Sequence, residues 1–167
     1  MATLPVRIYG DPILRQKSEP VEKVDVELLS LALDMLETMH EEEGIGLAAV
    51  QVGQPIRMLV VDIGDRAEEG VSKIYINPEI LEAKDEWVFD EGCLSIPGVT
   101  AEITRPKVIR VRYIDGRGKE RIDEFDELHA RVLLHEIDHL DGKLFVDYLS
   151  PMRRALIMRK QIGRAHV

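Results

Sequence analysis

The segment LHARVLLHEIDHL, residues 128–140, contains the pattern H-E-x-x-H between His135 and His139. Residues four positions apart lie on one face of an α-helix, so both imidazoles can reach the same metal ion. Glu136 follows the first histidine and can take a proton from a water molecule on that metal. The pattern therefore predicts a helix that carries part of a metal centre. The alternative is a solvated helix whose histidines are merely polar.

Apolar residues surround this predicted helix on nearly every side. One stripe consists of residues spaced four, three and four positions apart: Leu128, Val132, His135 and His139. A helix that is apolar nearly all round is buried, and two buried histidines need polar partners, one of which a metal can be. The same stripe predicts that Leu128 and Val132 form a hydrophobic wall beside the metal.

A catalytic metal usually takes a third protein ligand and leaves one position for water. The best donor elsewhere is Cys93, the only cysteine, because a thiolate is a strong ligand for iron or zinc. A small buried thiol is the alternative for a lone cysteine. A carboxylate such as Asp147 is the alternative ligand, and it would indicate a zinc peptidase. The longer metzincin pattern is excluded, because Phe145 stands where that pattern has its third histidine.

A third segment, GIGLAAVQ at 44–51, places small residues before a glutamine. Glycines permit a close approach of the backbone to a ligand, and the amide of Gln51 can donate to an oxyanion. The segment lacks the Lys-Ser/Thr ending of a phosphate loop, so nucleotide binding is unsupported. A helix end followed by a turn explains this segment equally well.

The pattern of the whole chain predicts an α+β fold, with antiparallel or mixed β-sheets packed around the central helix that carries HEIDH. An N-terminal helix is expected from Asp25 to about Glu43, and a C-terminal helix is expected from Pro151. Segments rich in Val, Ile and aromatic residues are predicted strands: 58–63, 73–76, 86–89, 108–113 and 121–125. The strands cluster between two helices rather than alternate with them, which favours α+β over a doubly wound sheet.

Length and charge narrow the class of protein. The chain has 167 residues, so we expect a single domain, residues 1–167. It carries 31 acidic and 22 basic residues, a net charge of −9, which makes direct DNA binding unfavourable. No run approaches the roughly 18 apolar residues that a membrane span requires. The single cysteine fits a reducing compartment, so we expect a cytoplasmic protein.

The C-terminal segment differs from the acidic body in its charge. From Pro151 onward every charged residue is basic: Arg153, Arg154, Arg159, Lys160 and Arg164. We therefore predict a docking element, whereas the alternative is a solvated helix face. Residues 162–167, IGRAHV, read like a translated sequencing adapter, which raises the hypothesis of a non-native tail.

Three ordered segments together resemble the motifs of the peptide deformylases. That family has G-x-G-x-A-A-x-Q, then E-G-C-x-S, then H-E-x-D-H, and here they stand at 44–51, 91–95 and 135–139. The likeness extends to IYGDP at 8–12 and to Asn77-Pro78, so it covers nearly the whole chain. The resemblance implies a metal-dependent hydrolase that removes the N-terminal formyl group from formyl-methionyl nascent polypeptides and releases formate.

The resemblance also implies a role for each site residue. Cys93, His135 and His139 would hold one divalent metal ion, Fe²⁺ in the cell, and purified protein can carry Zn²⁺, Ni²⁺ or Co²⁺ instead. Water on this metal would attack the formyl carbon, with Glu136 as general base and then acid. The transition state's oxyanion would receive hydrogen bonds from two groups, the amide of Gln51 and the backbone N–H of Leu94.

The substrate is expected to enter a narrow pocket. A formyl carbon carries only hydrogen, so a tight wall beside the metal excludes larger acyl groups, and Gly44 and Gly46 suit that tightness. By family analogy the first side chain of the substrate is methionine, which is expected to lie against Ile45, Leu128 and Val132.

In several bacterial relatives the C-terminal helix docks on the ribosome, which would give the basic C-terminal segment its partner. We expect a monomer.

Supporting contacts around the metal are predicted as well. Asp138 flanks the metal face of the helix and is expected to pair with Arg105, which would hold the helix against the segment after Cys93. Glu91 is expected to brace the cysteine loop, and a plain surface carboxylate is the alternative.

Overall fold

The computed structural model describes residues 2–64 and 73–165, with side chains described as far as Gln161. These residues form one five-stranded sheet and three α-helices, with short 3₁₀ turns between them. The α+β prediction is therefore confirmed. Within the described part of the chain, no helix is long and apolar enough to cross a membrane.

Helix α1 spans Val26–Glu41 and begins at a capping carboxylate. The side chain of Asp25 accepts a hydrogen bond of 2.9 Å from the backbone N–H of Leu28, one of the donors that a helix start leaves unpaired. The buried face of α1 packs on the first two strands through Ala32, Met35 and Met39. The helix ends two residues before the predicted Glu43, which has a φ of 59° and leaves the helical path.

The sheet is antiparallel throughout, and its strands lie in chain order. They are β1 (Gly46–Ala48), β2 (Met58–Val61), β3 (Ile74–Cys93), β4 (Ile96–Ile114) and β5 (Glu120–Asp126). Strands β3 and β4 form one long hairpin whose tip lies at the turn after Cys93.

The prediction of two separate strands at 73–76 and 86–89 was wrong, since both segments belong to the single strand β3. The register shifts between Ile76 and Glu79 and again between Ile80 and Glu82, so the alternation of apolar and polar residues is interrupted. Strand β1 and the first half of β4 were missed, because glycines and prolines hide their pattern.

Helix α2 spans Glu127–Leu140 and lies against the sheet with ten of its fourteen residues buried. The chain turns sharply after it at Gly142, which has a φ of 75°. A Cβ on Gly142 would lie 2.5 Å from the backbone oxygen of Arg15, so a side chain cannot be accommodated there. The glycine thus ends the helix and lets the N-terminal segment pack beneath it.

Helix α3 spans Pro151–Ala165 and begins at the predicted proline. Ser150 caps it, since its hydroxyl accepts a hydrogen bond of 3.2 Å from the backbone N–H of Arg153. The hypothesis of a non-native tail at 162–167 concerns side chains and terminal residues that lie outside the described set, so it stays a prediction.

Candidate metal centre

Three side chains able to bind a metal converge where the β3–β4 hairpin meets α2. Sγ of Cys93 lies 3.3 Å from Nε2 of His139, and this nitrogen lies 3.3 Å from Nε2 of His135. All three atoms fall within 4.8 Å of one another. The structure thus brings together residues 42 and 46 positions apart in sequence, which the hairpin tip and one helix face present to each other.

The donor set fits a transition metal ion. A thiolate and two imidazoles are ligand types that suit zinc and iron. His139 is completely buried and His135 is 7% exposed, so neither ring is an ordinary solvated histidine. Cys93 and His135 also line an open cleft, which would give water and a substrate access to an ion bound there.

A carboxylate orients the first histidine. Oε1 of Glu91 lies 2.9 Å from Nδ1 of His135, so this nitrogen donates to the carboxylate and leaves the lone pair on Nε2 free for a metal. Burial alone would raise the pKa of Glu91, but hydrogen bonds from His135 and Arg105 outweigh it and hold the pKa at about 2. Glu91 is therefore ionised and acts only as an acceptor.

Two buried arginines neutralise Glu91. Nε and Nη2 of Arg105 donate to its two oxygens at 2.5 and 3.0 Å, and Nη1 of Arg131 donates to Oε2 at 2.5 Å. Nη1 of Arg105 also lies 2.8 Å from Oδ2 of Asp138, which accepts a hydrogen bond from Tyr148. The pairing between Arg105 and Asp138 that the sequence suggested is present, and Glu91 is not a surface carboxylate.

Glu136 is positioned as a proton acceptor at the cleft. Its side chain is buried and lines the cleft, and Oε1 has no hydrogen-bond partner among the described residues. Burial raises the pKa of Glu136 to about 7. A carboxyl group with this pKa can both accept and return a proton near neutral pH.

Gln51 lies behind the cysteine rather than on the cleft surface. Its Oε1 accepts a hydrogen bond of 2.9 Å from the backbone N–H of Ala48, which fixes the amide orientation. Its Nε2 therefore faces the cysteine loop, 3.0 Å from Oγ of Ser95 and 3.6 Å from Sγ of Cys93. Leu94, the other predicted oxyanion donor, lines the cleft directly.

The cleft has a volume of about 590 Å³. All of the predicted pocket residues line it: Gly44, Ile45, Gly46, Leu128 and Val132. A Cβ on Gly46 would lie 2.6 Å from Cγ1 of Val132 and 2.7 Å from Oε2 of Glu136. Glycine is therefore required at position 46 for the strand to approach the carboxylate so closely.

The sequence interpretation missed Arg131, whose guanidinium lies inside the site and also donates to the backbone oxygens of Ile103 and Trp87. A signal was available, because a charged residue four positions before His135 in an apolar helix lies on the metal face. Asp147, the alternative ligand, lies elsewhere, where it accepts hydrogen bonds of 2.7 and 3.0 Å from Arg15.

Comparison with known proteins agrees with this geometry. The family model for polypeptide deformylase matches residues 3–155. A peptide deformylase of Bartonella tribocorum is 54% identical over 99% of this chain and 92% of the relative. One of Mesorhizobium japonicum is 50% identical over 96% of this chain and 92% of the relative.

Solved structures give the same result. The crystal structure of peptide deformylase from Ehrlichia chaffeensis in complex with actinonin matches with a TM-score of 0.93 at 40% identity, over 100% of both chains. One from Legionella pneumophila matches with a TM-score of 0.90 at 39% identity, over 99% of this chain and 96% of the other. The resemblance of the three sequence motifs is confirmed, and the chain belongs to the peptide deformylase family.

Proposed function

We propose that this protein hydrolyses the N-terminal formyl group of formyl-methionyl peptides and releases formate. The observation that carries the proposal is the convergence of three ligand atoms within 4.8 Å beside a buried carboxylate that opens onto a cleft. Family membership supports the same activity, since the matched relatives are named peptide deformylases.

Cys93, His135 and His139 would hold the metal ion, and we propose Fe²⁺ as the ion in the cell. A sulfur ligand beside two imidazoles supports iron or zinc, and Ni²⁺ or Co²⁺ can occupy the same donors in purified protein. When bound, the ion would act as a Lewis acid and lower the pKa of a coordinated water. The hydrogen bond from His135 to Glu91 would strengthen this histidine as a ligand.

Glu136 would move the proton in both halves of the reaction. Its buried carboxylate would first accept a proton from the attacking water and then return it to the leaving amine. The free Oε1 supports this role, because a carboxylate already committed to a structural partner could not act as the base.

Gln51 and the backbone N–H of Leu94 would stabilise the charge that develops on the formyl oxygen. The fixed amide of Gln51 supports this assignment, since its Nε2 lies 3.0 Å from Oγ of Ser95 and 3.6 Å from Sγ of Cys93, one of the proposed ligands. Preorganised donors of this kind are effective because they need no rearrangement as the charge forms.

The close approach around Gly46 would select the formyl group. A Cβ on Gly46 would lie 2.7 Å from Oε2 of Glu136, and this close packing supports a tight wall that would exclude acyl groups larger than formyl. The methionine side chain would lie against the half-exposed Ile45 and Leu128, with the buried Val132 at the base of the pocket.

The C-terminal helix would provide a ribosome-docking element for an enzyme of the cytoplasm. The exposed face of α3 combines cations with large apolar side chains, namely Arg153, Arg159, Lys160, Met152 and Leu156. Cations suit phosphate groups on RNA, while Met152, 77% exposed, supplies apolar contact. Reduced ribosome co-sedimentation after replacing the three cations with alanine would support this role, and unchanged co-sedimentation would contradict it.

The activity is tested by formate release from a formyl-Met tripeptide under anaerobic conditions, with the iron- or nickel-loaded protein. We expect metal-dependent release that falls by about 100- to 10,000-fold in Glu136→Ala, the usual contribution of a general acid–base group. The matched control is Glu27→Ala, an exposed carboxylate in the first turn of helix α1, which should keep full activity. Absence of release from the fully metallated wild type would contradict the proposal.

A further inference from the structure

Strand β4 bulges away from its partner at the entrance to the cleft. Cys93 pairs with Ile96 and its neighbour Gly92 pairs with Thr100, so residues 97–99 have no partners on β3. All three bulged residues line the cleft, as does the glycine-rich segment 44–46. A bulge of this kind leaves backbone groups without ladder hydrogen bonds, and these groups need other partners.

The backbone oxygen of Pro97 finds its partner on the C-terminal helix. Nε2 of Gln161 donates a hydrogen bond of 3.0 Å to this oxygen. The side chain of Gln161 is completely buried, and its Oε1 has no partner within the described part of the chain. A buried amide with one direct bond therefore links helix α3 to the wall of the cleft.

Helix α3 rests on the body along a narrow strip. Among its described side chains, the ones not exposed are Arg154, Ile157 and Gln161, spaced three and four residues apart. Ile157 packs on the cluster that contains Ile96, and Nη1 of Arg154 lies 3.8 Å from Asp147. Gln161 is thus the last described point of attachment, and it is the one that contacts the bulge.

We infer that Gln161 is a positioning residue that fixes residues 97–99 as the wall receiving the peptide beyond the formyl-methionyl group. The inference rests on the proposed deformylase function, which assigns the methionine to Ile45, Leu128 and Val132 and leaves this wall for the following residues. Without the amide, the Pro97 oxygen loses its partner and the bulge samples other conformations. Peptide binding then weakens while the metal centre keeps its geometry.

The test replaces Gln161 with methionine, which retains the length and apolar stem but cannot donate to Pro97. For a formyl-Met tripeptide we expect KM to rise about three- to tenfold, the usual effect of losing one hydrogen bond, with kcat within about twofold of wild type. For formyl-Met amide, which lacks the following residues, KM should stay unchanged. The control Ala155→Met adds the same side chain at an exposed position of the same helix and should leave both substrates unaffected.

Hydrogen–deuterium exchange of the metal-loaded protein gives a second readout that needs no turnover. The amides of residues 98–100 should exchange severalfold faster in Gln161→Met, while those of residues 108–113 keep their protection. Unchanged exchange at 98–100, or an equal loss of kcat for both substrates, would overturn the inference. Wild-type protein that releases no formate would refute the proposed function instead, and the exchange comparison would still decide whether Gln161 holds the bulge.

Discussion

Two sets of ion pairs join β3 to β4, and they differ in their exposure to water. Farther from the hairpin tip, Arg110 lies 3.2 Å from Glu82, and the two side chains are 45% and 70% exposed. Near the hairpin tip, Arg105 lies 2.5 Å from Glu91, and each side chain is 4% exposed. The same residue types on the same two strands thus form a solvated pair and a buried one.

The difference shows what a buried pair contributes beyond attraction. Exposed pairs contribute about 0–1 kcal/mol, because water screens them and ordering the side chains costs entropy. A buried pair must offset a large loss of hydration, so it often stabilises a fold no more than well-packed apolar side chains of similar volume would. Glu91 serves another purpose, since its Oε1 also holds Nδ1 of His135 in one orientation.

The largest effect is expected for Glu91→Ala. This change leaves Arg105 and Arg131 buried without their shared carboxylate, which should lower the free energy of unfolding by about 3–5 kcal/mol. Denaturant unfolding of the metal-free protein measures it without interference from metal binding. A loss as small as that of Glu82→Ala would show that burial does not distinguish the two pairs.

The next effect is expected at the metal. Arg105→Ala removes the cation between Glu91 and Asp138, so His135 is held less firmly and metal affinity should fall about 10- to 100-fold. Metal content after dialysis against a chelator series measures this change. The matched control is Arg110→Ala on the same strand, which should retain metal like the wild type. Equal retention by both variants would refute the positioning role.

A smaller effect on stability is expected from Asp62, a carboxylate of intermediate burial that has two cationic partners. Oδ2 of Asp62 lies 2.7 Å from His40 and 3.0 Å from Lys73. Burial opposes ionisation, but hydrogen bonds from the Gly64 N–H, Lys73 and His40 hold the pKa of Asp62 at about 2, below its ordinary value.

A lowered pKa in the folded state stabilises the protein above the unfolded-state pKa, and this stability disappears as the pH falls through the folded value. As the pH falls from about 4 to 2, the free energy of unfolding of the wild type should therefore decrease by about 1 kcal/mol more than that of Asp62→Asn. Urea unfolding at a series of pH values compares the two. Parallel acid profiles would indicate that Asp62 adds nothing to stability.

The smallest effect is expected for Glu82→Ala, whose carboxylate is 70% exposed. The free energy of unfolding should change by less than about 0.5 kcal/mol, and added salt should remove most of that change. Thermal unfolding at low and high ionic strength provides the measurement. A loss above about 2 kcal/mol would mean that the solvated pair stabilises the fold as strongly as a buried one, which would contradict the difference between the two pairs.

The features that sequence could predict are those whose signal is local. The histidine spacing and the apolar faces of 128–140 fixed a buried helix, and three ordered motifs indicated the family. The first two signals lie within one helix or within short segments. The pairing of Arg105 with Asp138 was predicted as well, although its two residues lie on different elements, β4 and α2.

The features that sequence missed depend on how distant segments meet. Arg131 could be placed on the metal face from its spacing to His135, but its partner Glu91 could not, because only the hairpin brings Glu91 against it. In the sequence Gln161 is an ordinary helix residue, and its contact with the backbone oxygen of Pro97 depends on the bulge in β4. The length of β3 was missed because its register shifts hide the two-residue period.

We propose that Cys93, His135 and His139 form one metal centre beside Glu136. Anomalous diffraction from crystals of the iron- or nickel-loaded protein, recorded on both sides of the metal's absorption edge, tests it most directly. We expect a single strong peak within bonding distance of Sγ of Cys93 and Nε2 of both histidines. A peak ligated by Asp147, or one that Cys93 does not contact, would contradict it.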